Sequence, residues 1–151
     1  VDQLETISHA ATRYTALKNL FSDFAAVFKE LLSDNLLGVS FTDDDDVSFR
    51  ILCFDRKIRV VFSAFGEVEE RYLGKISFAL SVPNEEGNEI SREIYGVFYD
   101  QNGVNYDTLG GPANPARLLE PSGACHVLIA VLEVLLDKIN TQMGLRLTFS
   151  A

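Results

Sequence analysis

From Leu4 to Leu31 apolar side chains return every three or four residues: Leu4, Ile7, Ala11, Tyr14, Leu17, Phe21, Phe24, Phe28 and Leu31. That spacing gathers them into one stripe of an α-helix. Gln3, Glu5, Arg13, Lys18, Asp23 and Lys29 fall largely outside it, and no Gly or Pro interrupts residues 1–37. Asp34, Asn35 and Gly38 supply the stop. The stripe suits packing on the protein's own sheet; a coiled-coil partner has the same spacing.

At Val39 the period changes to two. Val39 to Thr42 reads as a short strand and Asp43 to Asp46 as a charged turn. Val47, Phe49, Ile51 and Cys53 then alternate with Ser48, Arg50, Leu52 and Phe54. A turn at Asp55, Arg56 and Lys57 leads to Ile58, Val60, Phe62 and Ala64, which alternate with Arg59, Val61, Ser63 and Phe65. After Gly66 to Glu70, the residues Tyr72, Gly74, Ile76, Phe78, Leu80 and Val82 form a third apolar row. Pro83, Asn84, Gly87 and Asn88 break it; Ile94 to Tyr99 is a further strand, and Asn102-Gly103 a hairpin turn into Val104 to Asp107. Links this short make neighbours antiparallel, because parallel pairing needs long crossovers.

Gly110, Gly111, Pro112, Pro115 and Pro121 mark a loop, and Ser122 is a candidate cap for a second helix from about Gly123 to Thr141. Its apolar residues, Val127 to Ile139, cover most of the circumference, so it is expected to be buried between the sheet and the first helix. Leu145, Leu147 and Phe149 suggest a last short strand. The expected fold is α+β: a single domain over 1–151, with a curved antiparallel sheet of about six strands. A long N-terminal helix and a buried C-terminal helix pack on one face of that sheet.

Composition narrows the partners. Twenty-two acidic residues against 13 basic ones give a net charge of −9. Nucleic acid and anionic membranes both require clustered Lys and Arg, so neither is an expected partner. A basic protein would be steered favourably, and solubility alone also accounts for the charge. The two cysteines, Cys53 and Cys125, lie in apolar surroundings and form no disulfide framework. No signal-peptide pattern opens the sequence, and Ala124 to Leu136 is too short to span a bilayer. The expectation is a cytoplasmic protein with buried, reduced thiols.

The chemistry-bearing constellations are few. Asp43 to Asp46 lacks the spaced ligands and Gly of a calcium loop and reads as a solvated turn. Cys125 and His126 open the second helix, where the dipole favours a thiolate, yet adjacent helix residues point about 100° apart. There is no Gly-x-Ser-x-Gly elbow, phosphate loop or zinc spacing. No catalytic residue, metal ligand or cofactor is therefore assigned, and a non-enzyme is expected.

What remains is the second face of the sheet. Leu52, Phe54, Val61, Phe65, Tyr95, Val97 and Tyr99 are assigned to it, mixed with Arg50, Arg59, Lys75 and Ser77. A face meeting only water should be polar, and an aromatic-plus-Arg mixture is what interface centres favour. A loop such as Gly110 to Pro121 covering this face, or a sheet that curls on itself, explains it equally well. The expected function is a protein-binding module of the inhibitor, immunity-type or chaperone kind. Phe54, Val61, Phe65, Tyr95 and Tyr99 would be its anchors, and Arg50 and Arg59 would fix orientation on a partner protein or a second copy. A small-molecule or enzymatic pocket between sheet and second helix is the rival, with Tyr72, Tyr106, His126 and Arg117 as its candidate residues.

Overall fold

A computed structural model describes residues 3–68 and 71–142, with side chains described for 3–66 and 71–138. The order is α1 (Gln3–Asn35), β1 (Ser40–Asp45), β2 (Ser48–Cys53), β3 (Arg56–Val68), β4 (Arg71–Pro83), β5 (Glu89–Tyr99), β6 (Asn105–Tyr106) and α2 (Pro121–Gln142). The six strands form one antiparallel sheet in chain order, each beside its sequence neighbours. This is the α+β fold with a curved, open sheet that the alternation implied. The strand expected at Leu145 to Phe149 lies outside the described residues.

Both helices lie on one face. Leu17, Phe21, Phe24, Phe28 and Leu32 of α1 are buried against the core row of the sheet. Phe21 packs on Phe49 and Phe62, and Phe28 on Phe78, at ring separations of 5.5–6.1 Å. Each such side chain removed from water contributes roughly 1.5–3 kcal/mol. The stripe overstates burial at its start: residues 3–9 are exposed, and Leu4 and Ile7 are 73% and 64% accessible.

The α2 helix adds Ala124, Val127, Leu128, Val131 and Leu135 to the same core. It does not lie between α1 and the sheet, because α1 rests on β3 and β4 directly while α2 touches α1 and β5. The two helices are side by side. This leaves α2 an outer side, where Ile129, Glu133 and Asp137 are exposed. Its first turn is opened by Pro121, not capped by Ser122, and the Ala124 amide donates to the Glu120 carbonyl at 3.0 Å. Proline fits a first helical position because the missing N–H would have no partner there.

Two irregularities set which side chains face the core. At Gly66, φ is +114° and the β3–β4 register shifts between Ala64 and Gly66, a bulge that needs glycine. In β5 the register shifts again: Tyr95 opposes Phe78, whereas Glu93 opposes Ala79. Ile94 is the extra residue. Beyond it Tyr95, Val97 and Tyr99 point to the helices, and Phe98 points away. Val97 and Tyr99 are fully buried. The Tyr99 ring lies against Phe62, and its hydroxyl donates to the Leu17 carbonyl at 2.6 Å. Gly74 makes room: a Cβ there would stand 2.9 Å from the Tyr99 ring. The assignment of Tyr95, Val97 and Tyr99 to the second face is thereby corrected.

Candidate functional site: the outer face of the sheet

The face opposite the helices is built by alternation from β2, β3 and β4. Register places Arg50 opposite Arg59 and Leu52 opposite Lys57, with Val61 between Ser48 and Ser77. Leu52 is 40% accessible and Phe65 45%. Phe65 meets Phe98 edge-to-face at 5.2 Å between ring centres, so two aromatic residues from β3 and β5 share this surface. Phe98 went unassigned in the sequence because the bulge at Ile94 inverts the parity of its strand. Next to it Tyr106, opposite Phe98 on β6, is buried beneath Arg71, whose guanidinium bonds the phenol oxygen and lies 5.3 Å from the ring. The 110–121 loop leaves Leu52 and Phe65 exposed. It is tied instead to the α2 end, by Asn114 N–H to the Asn105 carbonyl and by the buried side chain of Leu118 in the helix-side core.

Phe54 has a different position from the one expected. Cys53 pairs with Arg56, so the turn is the two residues Phe54 and Asp55, not Asp55 to Lys57. Both have positive φ, 53° and 59°. This is the geometry of a two-residue hairpin turn whose twist matches the strands, normally filled by Asn-Gly. A left-handed backbone costs a side-chain-bearing residue roughly 1–2 kcal/mol. An aromatic ring held there, 48% accessible at the tip of a hairpin, has no folding rationale in the structure.

The basic groups of this face are engaged in local ion pairs. Arg50 Nε lies 2.7 Å from Asp44 Oδ1, and Arg59 Nε 3.9 Å from Asp44 Oδ2. Lys57 pairs with Glu89 at 3.5 Å and Lys75 with Glu93 at 2.8 Å. Lys75 also lies over the Phe98 ring. Asp44 thus belongs to the face, and the four aspartates are not a uniformly solvated turn. Asp43 and Asp46 reach the other way and pair with Lys29 and Lys18 of α1. Asp45 accepts from the Val47 amide and the Ser48 hydroxyl, which hold its carboxyl below the ordinary range. The strand expected to end at Thr42 therefore continues to Asp45, and the run clamps the β1–β2 hairpin to both sides of the fold. Among the described residues no group of three or more His, Cys, Asp or Glu is placed to hold a metal ion.

A second polar cluster sits at the other end of the sheet. Tyr95 donates its hydroxyl to Asp107 Oδ1, His126 Nε2 lies 3.1 Å from Asp107 Oδ2, and Asn114 bonds both Asp107 and Asn105. Burial opposes the charge on Asp107, but the bonds from Tyr95, His126 and Asn114 outweigh it and hold the carboxyl below its usual range. Burial, with that same carboxylate, pushes the Tyr95 phenol well above its usual range. A carboxylate-oriented imidazole is half of a general-base system. The bonds here close on the members of the cluster itself, and they brace the loop after β6 against β5 and α2. Its members come from three distant elements, so no spacing in the sequence signals it. The pocket candidates do not converge: Tyr72 lies under Arg13, Tyr106 under Arg71, and His126 at Asp107. Arg117 adjoins Gly103.

Of the seven residues expected to bind a partner, the structure groups Arg50, Arg59, Val61 and Phe65 on the outer face, with Phe54 at its hairpin tip. Tyr95 and Tyr99 lie on the opposite side. Comparison with protein-family models, with curated proteins and with solved structures finds no match. No described helix is long and apolar enough to cross a membrane.

Proposed function

We propose that this chain is a non-catalytic protein-binding module that docks through the outer face of its sheet. Leu52, Phe54, Val61, Phe65 and Phe98 are the apolar anchors, and Arg50 and Arg59 orient the partner at the rim. The observation that carries this reading is Phe54: a bulky residue in a left-handed turn, exposed at the hairpin tip next to Leu52, on a face that presents Phe65 and Phe98 towards its other end. Strained backbone of this kind is held in place by the surrounding structure and clusters at functional sites. Aromatic and arginine side chains at the centre of a patch are the groups that dominate interface energetics. An acidic inhibitor, immunity-type protein or dedicated chaperone, acting in the cytoplasm, fits this chemistry.

The test compares the wild-type chain with a Leu52→Ser, Phe65→Ser double variant as immobilised baits in extract from the native host. Both sites are exposed, so circular dichroism and the melting temperature should change little. Proteins retained by the wild type and lost from the variant should then bind the purified wild-type chain directly. Identical retention by the two baits, with unchanged sedimentation of each alone, would remove the outer face from consideration. Tyr99 is unsuitable for this test because it belongs to the core.

A further inference from the structure

The first helix outruns the sheet. All of residues 3–15 are exposed except half-buried Ala10, and the first α1 side chain buried in the core is Leu17. A helical stretch of this length is marginal in water unless one face is covered. Thr6, Ser8, Thr12 and Thr15 weaken it further, since Ser and Thr are indifferent helix formers. Leu4, Ile7, Ala11 and Tyr14 nevertheless keep a strict three-four spacing, the a and d positions of two heptads. Ile7 is 64% accessible and Tyr14 41%. At about 100° per residue, this row lies roughly a quarter turn round the helix from Leu17, Phe21, Phe24 and Phe28. A partner can therefore cover it without displacing the sheet.

We propose that this row pairs with the same row of a second copy, antiparallel, about a two-fold axis at the level of His9. The row is self-complementary in size. In that register Ile7 faces the second copy's Ala11, and Leu4 faces its Tyr14; the two-fold repeats each contact in reverse. Crossing helices are closest at the middle and diverge outward. Small Ala11, beside Ser8 and Ala10, stands near the middle, and the larger Leu4 and Tyr14 stand at the ends. The row is also neutral at its borders. Gln3, Ser8, Ala10 and Thr15 flank it, while Glu5, His9 and Arg13 lie on the back of the helix. Two chains of −9 each can meet there without setting like charges against each other. Thr15 donates its hydroxyl back to the Ala11 carbonyl at 3.0 Å, so covering it strands no donor. Four side chains per copy are few beside the roughly 1,200 Å² that a stable interface buries, so the pair is transient, with a dissociation constant on the order of 100 µM. This inference is independent of the outer-face reading.

Sedimentation equilibrium of the intact chain decides it. Between about 10 µM and about 1 mM the weight-average mass should climb from near 16.8 kDa towards twice that. Ile7→Lys and Ala11→Glu should each hold the chain at the monomer mass, with unchanged circular dichroism because both sites are exposed. Combining the two substitutions should restore association to roughly tenfold above either alone, because the two-fold sets each new cation against a new anion. A combined variant no stronger than the single ones overturns the antiparallel register, since parallel pairing would oppose like charges. The Leu52→Ser, Phe65→Ser variant should associate as the wild type does. Association lost there but kept in Ile7→Lys would assign the contact to the outer face and overturn the proposal. So would a wild type that stays monomeric at about 1 mM, even if Ile7→Lys then loses another protein or a vesicle surface.

Discussion

Tyr99 shows how much one side chain can depend on its neighbours. Its ring occupies the space that Gly74 leaves, and its hydroxyl reaches the Leu17 carbonyl inside α1. Tyr99→Phe removes that bond, but the Leu17 carbonyl keeps the helical amide of Phe21 as a partner, so the loss should be only about 0.5–1.5 kcal/mol in urea denaturation. Tyr99→Ser should cost about 3–5 kcal/mol or unfold the chain, since it also opens a cavity. Phe54 should behave in the opposite sense. Phe54→Gly releases a strained φ and should raise stability by up to about 1 kcal/mol while weakening partner binding. A calorimetric melt and a binding titration on the same variant check both halves. The thiols separate as well: Cys53 is buried, and burial pushes its pKa up, whereas Cys125 is only half-buried. A thiol reagent should modify Cys125 before unfolding and Cys53 only after it.

The elements were legible in the sequence wherever a single periodicity dominated. The helical stripe from Leu17 to Phe28 and the alternation of β2, β3 and β4 left one choice of face. In β5 they left two, because Ile94 and Phe98 on one parity are as apolar as Tyr95 and Val97 on the other. A bulge at Ile94 made the selection, and period-two reading cannot see a bulge. One signal was present: a glycine inside a strand, Gly74, marks a close approach by another group, here Tyr99. The Asp107 cluster and the ion pairs of Asp43 and Asp46 depend on tertiary placement and had no local signature.

Both features predict element-scale behaviour. Asp107 has a lowered pKa when folded, so its contribution to stability is complete above the unfolded value near 3.9 and is lost as pH falls through the folded value. Asp107→Asn should therefore reduce stability at neutral pH and flatten the acid limb of a melting-temperature profile below about pH 4. Joint replacement of Asp43 and Asp46 by Asn should lower the melting temperature modestly through the lost Lys29 and Lys18 pairs. The deficit should shrink in high salt, where exposed pairs are screened.

For the whole molecule, the location of the charge matters more than its sum. The chain carries −9, yet on the outer face Arg50, Arg59, Lys57 and Lys75 are all engaged in ion pairs with Asp44, Glu89 and Glu93, the two arginines sharing Asp44. Docking on that face should therefore depend on apolar contact. Its dissociation constant should change little with added sodium chloride and strongly with Phe65→Ser, as a titration series in both variables would show.

The strand order of the sheet is also the order of synthesis, and this bears on how the chain is made. Each hairpin can close as soon as its second strand leaves the ribosome, without waiting for distant sequence. The first helix has no such partner. Phe21 can meet Phe49 once β2 is made, but Phe28 must wait for Phe78 and Leu17 for Tyr99, so part of the apolar row faces solvent until β4 and β5 have been translated. The nascent chain carries its stickiest surface first and longest, and slowing translation across β3 to β5 should lower the soluble yield more than slowing it across α2.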